Sequence, residues 1–183
     1  MKTSQKASLA ALLVILLLAG ALRFYGLDAQ SLWNDEGTSV ALARQGLGAI
    51  ARAAALDIHP PLYYWLLSGW VRLLGDSETA VRALSALLGV GLVALTFALG
   101  QRLAGPWTGL WAALWAAIHP FQIYYSQEAR MYMLLAVVTA ATVWALVRWV
   151  DGETWTALGA LVLLEAVGLY THYSYLFCIL IVN

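Results

Sequence analysis

Residues 7–38 read ASLAALLVILLLAGAL and then RFYGLDAQSLWNDEGT, an uncharged run of 16 residues leading into an acidic pair, Asp35-Glu36, beside Trp33. How the first half is read decides the fold. Sixteen residues need help from their flanks to cross about 30 Å of hydrocarbon. A secretory leader is the competing reading, because Lys2 and Lys6 precede a short apolar core that ends in Ala19-Gly20-Ala21. Both readings send the following loop out of the cytoplasm. A retained helix is the better one, since further apolar spans follow.

Composition supports this. The chain has 183 residues, of which 62% are hydrophobic and nine are tryptophan. Its mean hydropathy of +0.76 lies far outside the range of soluble domains. Ten basic and ten acidic residues cancel, so no basic surface points to nucleic acid as a partner. The single cysteine, Cys178, lies in an apolar run; it can form no internal disulfide and reads as packing.

Outward from the acidic pair, residues 26–79 are too polar to span a membrane. Residues 40–56, rich in alanine and leucine but carrying Arg44 and Arg52, suit a helix lying along the interface. Pro60-Pro61-Leu62-Tyr63-Tyr64-Trp65 opens another, with prolines in its first turn and aromatics at headgroup level. Spans are expected at about 7–24, 83–100, 107–123, 131–147 and 155–170, with His119-Pro120 kinking or ending the third. Gly105-Pro106 and Asp151-Gly152-Glu153 make short turns. A sixth span from about Tyr173 has only 11 residues before Asn183, and such a helix rises only about 16 Å. The chain therefore reads as the amino-terminal part of a longer transmembrane domain, cut within that span. The expected fold class is all-α, a polytopic transmembrane helical bundle with interfacial helices in its first external loop.

Counting crossings from a cytoplasmic amino terminus puts loop 26–79, the cluster at 127–130 and the cluster at 171–175 on one external face. The distribution of positive charge runs against this. Arg23, Arg44, Arg52, Arg72, Arg82 and Arg130 fall outside, whereas Lys2, Lys6, Arg102 and Arg148 fall inside. The positive-inside rule weakens for long loops, and an anionic lipid substrate would account for external arginine.

Carboxylates are scarce in a chain that is 11% charged, so their placement is informative. Two readings of Asn34-Asp35 stand: a cap for the helix that follows, or a carboxylate at the membrane surface acting as general base or metal ligand. Neighbouring residues on a helix face different ways, so Asp35 and Glu36 divide the work. His59, beside a rigid turn, suits a phosphate or a metal, while Tyr63, Tyr64 and Trp65 suit an aromatic belt. Glu128 and Arg130 stand where two spans meet, either as a mutual surface pair or as a site. An arginine fork matches phosphate better than lysine does, which makes Arg130 the first candidate for a lipid phosphate. Glu165 is a lone acid within the fifth span, facing protein or water. His172 divides evenly between packing and a site role.

Taken in order, Leu32-Trp33-Asn34-Asp35-Glu36, His59-Pro60-Pro61-Leu62-Tyr63-Tyr64, Ser126-Gln127-Glu128-Ala129-Arg130-Met131-Tyr132 and Thr171-His172-Tyr173 resemble the bacterial and archaeal membrane glycosyltransferases of family 39. These are related to protein O-mannosyltransferases and to the aminoarabinose transferase of lipid A. The resemblance implies a GT-C fold and an acidic residue of the first external loop at the active site. It also implies transfer of a sugar, with inversion, from a polyprenyl phosphate carrier to a protein, lipid or glycan acceptor outside the plasma (inner) membrane. Carried over, Asp35 is the catalytic base, and Glu36 supports it or, with His59, holds a divalent metal ion. His59, Tyr63, Gln127, Glu128, Arg130, Tyr132 and His172 form the substrate-binding set. The competing class is a non-catalytic membrane protein, either a transporter fragment or an assembly subunit. A transporter would show internal repeats and polar residues spread toward mid-membrane, whereas here only Glu165 lies deep.

Overall fold

The computed structural model of the chain describes residues 2–152 and 154–182; Glu153 and Asn183, named above, lie outside the described residues. Its elements are α1 (Lys2–Phe24), α2 (Asn34–Ala43), α3 (Leu47–Ala54), α4 (Leu62–Leu74), α5 (Glu78–Ala104), α6 (Pro106–Ile118), α7 (Pro120–Ser126), α8 (Tyr132–Val150), α9 (Thr154–Thr171), a 3-10 turn (Tyr173–Tyr175) and α10 (Leu176–Val182). No strand occurs among the described residues, so the chain is an all-α bundle. Four helices, α1, α5, α8 and α9, are long and apolar enough to cross a membrane.

The stretch expected as a third span is broken at His119 into α6 and α7. Proline has no N–H to donate and its ring crowds the preceding turn, so the carbonyls of Ala116 and Ala117 are left without helical partners. Arg23 fills the gap, donating from Nη2 to Ala116 O and from Nη1 to Ala117 O at 2.9 Å each. A residue that reads in the sequence as a simple flank of the first span is therefore fully buried, clamping α1 to the break. Gly89 on α5 makes the room: a Cβ there would overlap Ser126 Oγ and lie 2.8 Å from Arg23 Nε. Lower down, α5 and α6 touch backbone to backbone. A Cβ on Gly109 would meet Phe97 O at 2.7 Å, the close approach that small residues permit between membrane helices.

The first loop differs from expectation. Residues 40–56 do not form one helix; Gly46 turns extended and caps α3, after α2 has ended at Ala43. Arg44, at the break, is drawn across to pair with Asp76. These interfacial helices are packed onto the bundle rather than lying free. Val40, Ile50, Tyr63, Tyr64 and Leu67 form one apolar core with Val81, Met131, Leu134 and Val138. At the opposite end Arg102 Nη2 lies 2.9 Å from Asp151, joining the α5–α6 turn to the α8–α9 turn. Glu165 is half-buried on α9.

Candidate active site

The acidic pair opens α2, and its two members go in different directions. Trp33, not Asn34 or Asp35, takes the cap position, and Glu36 reaches back to accept from the Trp33 N–H at 3.3 Å. Glu36 is fully buried. Its carboxylate accepts from Arg82 Nε at 2.9 Å and Nη2 at 2.6 Å, and from the Ala129 N–H at 2.8 Å. Arg82 in turn donates to the carbonyls of Leu27 (2.6 Å), Gln30 (2.7 Å) and Ser31 (3.2 Å). One buried ion pair thus fixes the 27–31 loop, α2, α5 and the 127–131 turn against one another. Burial alone would push the Glu36 carboxyl up, but Arg82 and the two backbone donors outweigh it and hold the group below the usual carboxylate range.

Asp35, one residue earlier and about 100° around the helix, faces outward with its side chain 41% exposed. Behind it lies Arg130, only 4% exposed. Arg130 Nη1 donates to Ser39 Oγ at 3.2 Å and to the Asp35 carbonyl at 3.4 Å, while Nη2 stands 3.7 Å from the Asp35 carboxylate. Asp35 is therefore neither the helix cap nor buried; it is a half-exposed carboxylate steered from behind by a buried guanidinium.

Glu128 and Arg130 do not form the mutual surface pair that their spacing allows. Within this turn the Arg130 N–H donates to the Glu128 carbonyl at 2.9 Å, and the side chains diverge. Arg130 turns to α2, whereas Glu128 lies beside Tyr124. Burial raises the Glu128 carboxyl above its ordinary range; the charge of Glu36 adds to this, and Tyr124 and Arg130 oppose it.

Around Arg130 gather most of the other expected residues. Tyr132 lies with its ring centroid 5.9 Å from the guanidinium carbon, and Tyr64 lies near the same group. The His59 ring meets His172 edge-on at 5.7 Å. His172 Nδ1 accepts from the Ser174 N–H at 3.1 Å, capping the 3-10 turn. Burial, with His59 and Arg130 adding, keeps its imidazole below the ordinary range and hence neutral at physiological pH. Tyr63 is wholly buried on α4, and burial pushes its phenol well up. Gln127 is structural: its Nε2 donates to the carbonyls of Leu22 (3.2 Å) and Tyr25 (2.9 Å), tying the turn to the end of α1. Three residues the sequence reading missed are Arg82, Ser39 and Tyr124. None of the three carries a local signal in the sequence, since their partners lie far away in the chain.

A metal does not fit this set. Among the described residues no three His, Cys, Asp or Glu side chains converge. Glu36 already accepts four hydrogen bonds, and His59 has one carboxylate nearby, Asp57 at 3.6 Å.

The profile of the dolichyl-phosphate-mannose-protein mannosyltransferase family matches residues 58–182. The chain belongs to this family. It is thus a multi-pass membrane protein with the helical bundle of the GT-C glycosyltransferases, a class that takes its sugar from a polyprenyl phosphate carrier. The match takes in His59, Tyr63, the 127–132 cluster and His172. Asp35 and Glu36 precede it, but are joined to the matched part through Ala129, Arg130 and Arg82. No curated protein and no solved structure matches the chain significantly.

Proposed function

We propose that this protein transfers a sugar from a polyprenyl phosphate donor to an acceptor hydroxyl of a protein, lipid or glycan, with inversion, on the outer side of the plasma membrane. The observation that carries the reading is the placement of Asp35, a half-exposed carboxylate steered by a buried arginine at the end of the bundle where the family's motifs gather.

Asp35 accepts the proton of the acceptor hydroxyl as its oxygen attacks the anomeric carbon. The bond from that carbon to the phosphate oxygen breaks, and the polyprenyl phosphate leaves with the bonding pair. One displacement inverts the anomeric centre. General bases placed in this way contribute about 10²- to 10⁴-fold. Charge builds on the phosphate as it leaves, and positioned donors stabilise it. Arg130 supplies the nearest positive charge; His59, His172 and Tyr64 supply the remaining polar groups on that side. The buried fit of Arg130 against Ser39 favours a role in holding Asp35 together with a through-space effect on the phosphate, over a freely extended fork.

The test is product stereochemistry. Membranes carrying the protein, expressed from its complete reading frame, are given labelled polyprenyl phosphate mannose of known anomeric configuration and a hydroxyl acceptor. Mannoside of the opposite configuration supports the reading. Retained configuration, or no Asp35-dependent transfer, overturns it.

A further inference from the structure

Glu36 and Arg82, but not Asp35, line a cleft of about 640 Å³ walled by the 22–33 stretch, the start of α5 and the end of α7. Its volume lies within the range of about 300–1,000 Å³ typical of small-molecule sites. Charge limits what it can take. Among the described residues Arg82 is the only Lys or Arg on its walls, and that guanidinium already donates from Nε, Nη1 and Nη2 to Glu36 and three carbonyls. The described walls therefore offer no free cation to a phosphate or a carboxylate.

It does have an unsatisfied acid. Glu128 is 7% exposed and lines the cleft, and its Oε2 is buried without a hydrogen-bond partner. Buried polar atoms are nearly always paired, so this oxygen calls for a ligand group. A carboxyl oxygen there accepts from a hydroxyl of the ligand. Three aromatic side chains also line it: Trp33 is 46% exposed, and Tyr25 and Tyr124 are exposed. An uncharged ligand with hydroxyls for a carboxyl and a C–H face for an aromatic ring has the chemistry of a sugar.

We infer that this cleft is a pyranose-binding subsite, in which Glu128 Oε2 hydrogen-bonds a ring hydroxyl and Trp33 covers the apolar face of the ring. The assignment rests on the glycosyltransferase reading only for the source of the ring, which is either the sugar being transferred or the terminal sugar of a glycan acceptor. The bonding requirements are the same for both.

Saturation-transfer NMR on the chain in detergent micelles, with methyl α- and β-pyranosides and no donor lipid, tests the subsite directly. The wild type should transfer saturation to the sugar ring protons. Glu128→Ala should weaken binding about tenfold, the loss expected for one hydrogen bond to a buried carboxyl; Glu128→Gln, which keeps an acceptor oxygen at the same position, should bind much as the wild type does. Trp33→Leu, at the partly exposed rim, should also abolish most of the signal, and it carries the test if Glu128→Ala fails to fold. The inference is overturned if no pyranoside receives saturation from the wild type. It is also overturned if Glu128→Ala and Trp33→Leu both bind normally, or if inorganic phosphate displaces the sugar. Adding polyprenyl phosphate mannose then assigns the source: displacement of the pyranoside identifies the transferred sugar, and simultaneous binding identifies the acceptor. Because the measurement uses no turnover, loss of sugar binding with Asp35-dependent transfer intact sinks the subsite and leaves the proposed reaction standing.

Discussion

Replacing Glu36 with leucine should be among the most damaging single changes in the chain. The substitution keeps the approximate volume but leaves Arg82, 7% exposed at its side chain, buried without its anion. Removing one member of a buried ion pair typically costs about 3–5 kcal/mol. The Ala129 N–H, in buried surroundings, also loses its acceptor, which adds about 1–3 kcal/mol. A total near 4–8 kcal/mol approaches the whole stability of many domains. Arg82→Leu should cost a similar amount by stranding Glu36. The double replacement should be milder than the sum of the two by about 2–3 kcal/mol, because two facing apolar side chains require no compensation. Equilibrium unfolding in mixed micelles, followed by tryptophan fluorescence, measures all three. Single losses below about 1 kcal/mol, or strict additivity, would refute the ion pair as the joint between α2, α5 and the 127–131 turn.

The two buried carboxyls should respond to pH with opposite sign. The lowered Glu36 contributes stability that is present above its unfolded value, about 4.3, and is lost as pH falls through its folded value. The raised Glu128 disfavours the fold once ionised, so stability should fall as pH rises from about 4.3 through its folded value, and Glu128→Gln should remove that slope in a pH series of unfolding midpoints. Gly89→Ala should destabilise the bundle by about 1–3 kcal/mol, as overpacking does, since the added carbon meets Ser126 Oγ and Arg23 Nε well inside contact distance; an unchanged melting temperature would contradict the Arg23 clamp. With Cys178 replaced, single cysteines at the exposed positions Ser77 and Gly152 should react with an impermeant maleimide from opposite sides of the membrane. Labelling of both from one side would break the crossing count.

What could be read from the sequence divides along a physical line. Apolar runs bounded by charge locate α1, α5, α8 and α9, because length and hydropathy alone decide whether a segment suits hydrocarbon. His119-Pro120 also announced its break, since the missing N–H is a local property. Partners of buried charge are not local. Nothing near Arg23 in the chain points to carbonyls 93 and 94 residues away, and nothing beside Glu36 points to Arg82. Those arginines looked like an external excess needing an anionic lipid, whereas Arg23, Arg82 and Arg130 are buried and matched to protein groups, and Arg44 pairs with Asp76. Which member of the acidic pair faces outward was equally hidden, because it depends on how α2 is rotated against α5 and the 127–131 turn.

That rotation is what the central claim depends on. Asp35→Asn keeps the shape of the side chain but removes the base, so sugar transfer from polyprenyl phosphate mannose should fall about 10²- to 10⁴-fold. Donor affinity and the unfolding midpoint should stay near the wild-type values, because the side chain is half-exposed and its nearest charged neighbour, Arg130, keeps its bond to Ser39. Transfer at the wild-type rate by Asp35→Asn would contradict the account and remove Asp35 from the chemistry.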